Sequence, residues 1–248
     1  MTYSDFPRFL FSFYEALSRQ GPGDDAVTRN LLHSLPDLPD NPQIIDMGSG
    51  SGAQTLVLAQ VGQVTAIDIY QPFLNRLMVQ ARVKGLSSRI TPILTLMDNS
   101  GIRTGVADLI WSEGAVYIIG FARGLILWRD LVRPGGYVVV SEMTRLDPSP
   151  PPEIEAYWNT EYPGIQDIAG NCHLIKEAGY TLLSIHPLPG SAFDAFYASE
   201  KEQIDVLKAN ELTNEETSLL DMIEEEIRLY KRYPDSYGYV FFLMQRPI

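Results

Sequence analysis

The run Ile44-Ile45-Asp46-Met47-Gly48-Ser49-Gly50-Ser51-Gly52 constrains this chain more than any other stretch. A short apolar segment ends in an acid, three alternating glycines follow, and 53–60 then reads as a helix. Glycines permit positive φ and let a ligand approach the backbone closely, as a cofactor lying across strand ends requires. A tight turn alone needs one glycine and no acid, so the run reads as a binding loop. Gly48, Gly50 and Ala53 also satisfy the G-x-G-x-x-G/A fingerprint of a nicotinamide dinucleotide, with Asp68 spaced as its ribose acid. Asp46 weighs against that ligand, because a carboxylate just before the glycines repels a pyrophosphate and tolerates a cationic cofactor.

Downstream, β-branched runs alternate with helical periodicity, the pattern of βα units on a mainly parallel sheet. Strands are expected at 44–47, 64–69, 90–96, 107–111, 136–142, 181–188 and 237–245, and helices at 53–60, 72–84, 120–131 and 165–178. Pro72 suits a first helical turn and Gly85 the left-handed position past a helix end. The stretch 147–163, led by Pro148, Pro150, Pro151 and Pro152, reads as an inserted lid or loop. In 199–235, Leu219, Leu220, Ile223, Ile227 and Tyr230 recur at three- and four-residue spacing, so one helical face packs.

These ordered motifs resemble the class I S-adenosylmethionine-dependent methyltransferases, whose cofactor carries a sulfonium and an ammonium. The carriers are Asp46–Gly52, Val64-Thr65-Ala66-Ile67-Asp68, Leu96-Met97-Asp98-Asn99, 107–114, and Leu131-Val132-Arg133-Pro134-Gly135-Gly136. The closer resemblance is to a small-molecule subgroup near the ubiquinone and menaquinone methyltransferases, carried by Arg19-Gln20-Gly21-Pro22-Gly23 and Trp111-Ser112-Glu113-Gly114-Ala115. The resemblance implies an α/β fold, a Rossmann-like doubly wound seven-stranded sheet of order 3-2-1-4-5-7-6. Its last strand is antiparallel, helices cover both faces, and a helical insertion precedes the last strand. Pro92 agrees, since proline is confined mainly to sheet edges and the third strand of that order is an edge. One domain over 1–248 is expected, with a helical cap at 1–40, a cofactor half at 41–145, and insertions at 146–164 and 199–235 that form a substrate lid or an oligomer surface.

By the same resemblance, Asp46, Gly48, Ser49, Gly50 and Gly52 wrap the methionine and ribose parts of S-adenosyl-L-methionine. Asp68 binds the ribose hydroxyls, Ile69 and Met97 sandwich the adenine, and Asp98 with Asn99 lies by its amino group. Arg19 or Gln20 holds the cofactor's carboxylate, with Tyr14 covering the site. Glu113 accepts the cofactor's ammonium, orients the substrate or acts as a base; Tyr117 is the second catalytic candidate. Tyr117, Glu142, Tyr157, Trp158 and Tyr162 are candidates for the substrate pocket, the last three equally placed to anchor the insertion or a homodimer. His33, His173 and His186 read as structural residues, and no metal site is expected. The product would be S-adenosyl-L-homocysteine. Two other readings stay open: an NAD(P)-dependent oxidoreductase, and a non-catalytic S-adenosylmethionine-binding assembly protein.

Charge bears on the partner. The chain carries 19 basic and 31 acidic residues, a net of −12, with no Lys/Arg-rich cluster beside the glycine loop. That disfavours nucleic acid and anionic membrane surfaces and leaves a small-molecule substrate as the expectation. Residues 199–235 hold 11 of the acids and 5 of the bases, half of the net charge, and their outward face reads as solvated. The single cysteine, Cys172, forms no internal disulfide, and the start Met1-Thr2-Tyr3-Ser4-Asp5 lacks a signal peptide's basic residues. A cytoplasmic setting is the expectation.

Overall fold

The computed structural model describes residues 8–248; the first seven positions of the expected cap lie outside the described residues. The sheet runs β3-β2-β1-β4-β5-β8-β7, built from β1 (Gln43–Met47), β2 (Gln63–Asp68), β3 (Ile90–Leu94), β4 (Ala107–Ser112), β5 (Val132–Arg145), β7 (Thr181–Pro187) and β8 (Tyr237–Gln245). The two-residue β6 (Gln166–Asp167) pairs with the far end of β5, off this path. Strands β1 to β5 pair in parallel, and β8 runs antiparallel to both β5 and β7. The expected order holds once β6 is counted. Pro92 sits on edge strand β3 opposite Ala66, where the missing N–H breaks no central ladder.

Alternation along the strands builds two cores, because successive side chains point to opposite faces. Ile44, Val64, Leu109, Trp111, Val139 and Phe241 pack on one face with α2 (Asp25–His33), α3 (Ala53–Leu58) and α4 (Gln71–Val83). Ile45, Met47, Ile67, Ile110, Val138 and Phe242 pack on the other with α5 (Phe121–Arg129) and α7 (Ile168–Glu177). Strand β5 is longer than 136–142 because Pro134, Gly135 and Gly136 form a bulge inside it. Between the pairs Ala107 with Val132 and Leu109 with Tyr137, β4 advances two residues and β5 five.

The two irregular segments are more ordered than expected. Residues 147–163 contain a helix, α6 (Pro152–Glu161), started by the prolines at its first positions. The helical segment before β8 begins at Gly190, earlier than 199, and folds back on itself as α8 (Gly190–Lys208) and α9 (Asn214–Arg232). Ala192, Phe193, Phe196 and Tyr197 already show helical spacing, and they and Ile204 bury against Leu220 and Ile227 in the first core. Thr213 and Glu216 close α9 with a capping box. The acidity of this hairpin is also divided: Lys201 and Lys208 pair with Glu224 and Arg228 pairs with Glu225 and Glu153, whereas Glu200 points inward and is 2% exposed.

Since Leu220 is fully buried, Leu220→Ala should lower stability by about 2–5 kcal/mol. Urea denaturation followed by far-UV circular dichroism should show one transition shifted as a whole; a separate early transition with an unshifted main one would mean the hairpin folds independently of the core.

Candidate functional site

The carboxyl ends of β1, β2 and β4 and the segment after β3 border one cavity of about 430 Å³, within the range of small-molecule sites. The glycine loop is its floor, and the loop is tied shut. Gly48 and Ser49 N–H both donate to Ile67 O, Gly50 N–H to Asp68 Oδ2 at 2.8 Å, Ser51 N–H to Gln20 Oε1 at 2.7 Å, and Gly52 N–H to Ser49 O. Gly52 holds φ +89°, and a Cβ there would lie 2.1 Å from Leu77 Cδ1 of α4. A Cβ on Gly48 would lie 2.4 Å from that of Ala115. Side-chain volume is therefore excluded at both ends of the loop.

Tyr14, Arg19, Gln20, Gly48, Ser49, Gly50, Asp68, Ile69, Met97, Asp98, Glu113, Tyr117 and Tyr162 all border the cavity. Asp68 Oδ1 accepts the Tyr70 N–H while Oδ2 accepts that of Gly50, which fixes the carboxylate at the end of β2; burial raises its pKa. Asp98 pairs with Arg123 at 2.8 Å. Glu113 Oε1 accepts from Thr28 Oγ1 at 2.7 Å and from Trp111 Nε1 at 2.9 Å, and Arg19 stands 3.7 Å from Oε2. Glu113 Oε2 and Ser49 Oγ are buried without a hydrogen-bond partner among the described residues. These two atoms and the fixed Asp68 carboxylate remain able to take further hydrogen bonds at the cavity.

Other expected contacts are placed differently. Asp46 is fully buried beneath the loop, outside the cavity, accepting from Thr55 Oγ1 at 2.5 Å and Gln54 Nε2 at 3.2 Å; it joins β1 to α3, and burial lifts its pKa to about 7. Gly52 packs on α4. Asn99 lies outside the cavity, its backbone closing a turn with Leu96 and Thr95. Gln20 acts as a clasp: its Nε2 donates to Tyr14 O while its Oε1 holds Ser51, so α1 (Arg8–Glu15) is fastened to the loop. Arg19 is engaged by Asp25 at 2.5 Å as well as by Glu113. Tyr157 and Trp158 turn away from the cavity; Trp158 packs on Tyr237 and Tyr157 reaches Glu226 of α9, so they anchor α6 to the hairpin. Glu142 is 1% exposed, behind the cavity surface, and accepts from Tyr162 Oη at 2.6 Å.

Several participants were not expected. Leu10, Phe11, Phe73 and Ile118 supply apolar cavity surface, and Arg76 holds the end of α1 in place by donating to Glu15 O and Leu17 O. Thr28 and Trp111 orient Glu113. Only their partners identify them, and Thr28 is 85 residues from Glu113 in the chain.

Residues 45–140 match the family described as methyltransferase domain. No curated protein matches the chain by sequence. Among solved structures, YjhP from E. coli superposes with a TM-score of 0.80 at 20% identity, over 96% of this chain and 99% of that one. An S-adenosylmethionine-dependent methyltransferase from Geobacter sulfurreducens, in complex with S-adenosyl-L-homocysteine, gives 0.80 at 21% identity over 96% and 98%. One from Thiobacillus denitrificans, with the same molecule, gives 0.78 at 19% over 98% and 99%.

Asp46, Glu142 and Glu200 make a pH-dependent prediction. Burial lifts the latter two to about 8, while the unfolded chain ionises all three near pH 4. The fold therefore holds more protons than the unfolded chain between these limits, and stability falls as pH rises from about 5 to about 8, by about 1 kcal/mol per pH unit for each proton concerned. Glu153, Glu224 and Glu225, held low by ion pairs, titrate below this window. Urea midpoints of the ligand-free protein at four pH values check this; midpoints that climb across the window contradict it. Across most of its length, then, the chain has the fold of these solved structures, and its residues 45–140 match the methyltransferase-domain family.

Proposed function

We propose that this protein transfers the methyl group of S-adenosyl-L-methionine to a small-molecule nucleophile and releases S-adenosyl-L-homocysteine. The observation that carries the reading is the closed glycine loop. Every backbone N–H from Gly48 to Gly52 is already donated within the protein, so none is left for the pyrophosphate of a dinucleotide. What the loop leaves for a ligand is Ser49 Oγ, Glu113 Oε2 and the Asp68 carboxylate, two of them acidic and suited to an ammonium and to ribose hydroxyls.

In this reading Asp68 accepts both ribose hydroxyls, Ile69 and Met97 cover the adenine faces, and Asp98 accepts from its amino group while Arg123 steadies it. Glu113 holds the methionine ammonium, oriented by Thr28 and Trp111. Arg19 keeps a share of its charge for the cofactor's carboxylate. The cofactor supplies an activated methyl carbon. The protein's contribution is to exclude water with Leu10, Phe11, Phe73 and Ile118 and to hold the nucleophile in line. Free Cys172 and the acidic balance fit the same picture of a cytoplasmic enzyme of small metabolites.

Isothermal titration of the protein with S-adenosyl-L-homocysteine should show one site. Asp68→Asn should weaken it about 10- to 100-fold, the value of hydrogen bonds to a charged acceptor. NADH and NADPH should give no heat. Binding of a nicotinamide cofactor with no response to the homocysteine product would reverse the assignment.

A further inference from the structure

Tyrosines from three separate elements face one part of the cavity: Tyr14 on α1, Tyr117 in the turn after β4, and Tyr162 after α6. Tyr162 Oη donates its proton to Glu142 Oε1 at 2.6 Å. Tyr14 lies beside the Glu200 carboxyl. A phenol has a single proton. With that proton given to a carboxyl behind the cavity surface, the Tyr162 oxygen offers the cavity lone pairs and has nothing to donate, so this part of the wall selects a ligand that brings hydrogens.

The charge around the wall points the same way. Glu142 and Glu200 are 1% and 2% exposed, and Glu142 Oε2 has no hydrogen-bond partner. The charged side chains that act most strongly on Tyr14, Tyr117 and Tyr239 are Glu142, Glu200 and Glu226, with no Lys or Arg among them. Among the described residues the cavity surface adds Asp68, Asp98, Glu113 and Glu161 against Arg19 alone, and Arg19 is already paired with Asp25 and Glu113. Carboxyls buried without a cation are costly to ionise, and a cationic ligand removes that cost. Tyrosine faces attract the same cation through their quadrupoles.

We infer that the methyl acceptor is a small amine, bound as its ammonium against Tyr14, Tyr117 and Tyr162 with Glu142 and Glu200 behind them; this rests on the methyl-transfer reading above. An ammonium has no lone pair, so a proton must leave before transfer. Tyr162 is the route: the nitrogen's proton passes to Tyr162 Oη as Tyr162's own proton moves to the ionised Glu142. The lone pair then forms the N–C bond while the C–S bond breaks, its electron pair staying on sulfur as a neutral thioether. The methylated ammonium carries the charge that the sulfonium lost.

The test uses the full chain saturated with S-adenosyl-L-homocysteine, whose own binding is measured first. N,N-Dimethylethanolamine, protonated at neutral pH, and its uncharged isostere 3-methylbutan-1-ol are then titrated by calorimetry. The protonated amine should bind at least about tenfold more tightly, and Glu142→Gln should reduce that preference severalfold. Tyr162→Phe, which keeps the ring and removes the hydroxyl, should do the same and serves where Glu142→Gln fails to fold. Product binding with no preference for the protonated amine overturns the amine assignment alone, as does a preference untouched by both variants. Failure to bind the product overturns the methyl-transfer reading and takes the assignment with it.

Discussion

The structure turns on the Asp68 carboxylate. It stands at the end of β2, where one oxygen takes the Tyr70 N–H and the other the Gly50 N–H, so the same group starts the turn into α4 and pins the glycine loop that leaves β1. Gln20 does the corresponding work from the opposite side, taking Ser51 with its carbonyl and α1 with its amide nitrogen. Two side chains thus satisfy the loop donors that a phosphate would otherwise claim. A loop that reads from its glycines as a phosphate cradle becomes, through these two hydrogen bonds, a surface for a ligand with few negative charges.

Below the loop, Asp46 extends the same design inward. It is buried and accepts from Thr55 and Gln54, joining β1 to α3, so the acid that seemed to face the cofactor belongs to the support of its binding site. The preference against a pyrophosphate survives, but its physical cause moves from repulsion by Asp46 to the absence of free backbone donors. Burial of Asp46, Glu142 and Glu200 in a small α/β fold is unusual for acids. Burial pushes each towards its protonated form, hydroxyl donors oppose the shift, and among the described residues no basic side chain pairs with them.

Much of the fold was legible because its signals are local. Apolar alternation marks strands, Pro72 and Gly85 bracket a helix, and Pro92 marks an edge without any knowledge of its neighbours. The acids Asp68, Asp98 and Glu113 were legible for the same reason, each lying at or within four residues of the carboxyl end of a recognisable strand. Contacts made across the chain were not: Thr28 meets Glu113 and Gln20 meets Ser51 only because the sheet brings them together. Tyr157 and Trp158 illustrate the limit most clearly. Aromatic residues after a proline run announce burial but not its direction, and here α6 turns them onto Tyr237 and α9 while Tyr162, four residues on, faces the cavity. The early start of α8 was missed although Pro189-Gly190-Ser191 breaks the chain after β7, because the apolar spacing from Ala192 to Tyr197 is too short to establish a helical period alone.

A crystal structure of the protein grown with S-adenosyl-L-homocysteine tests the central claim most directly. The account predicts both ribose hydroxyls within hydrogen-bond distance of Asp68, the adenine between Ile69 and Met97, and the amino group of the homocysteine on Glu113 Oε2. A ligand bound with Asp68 still facing only Gly50 and Tyr70, or with its amino group away from Glu113, would contradict it.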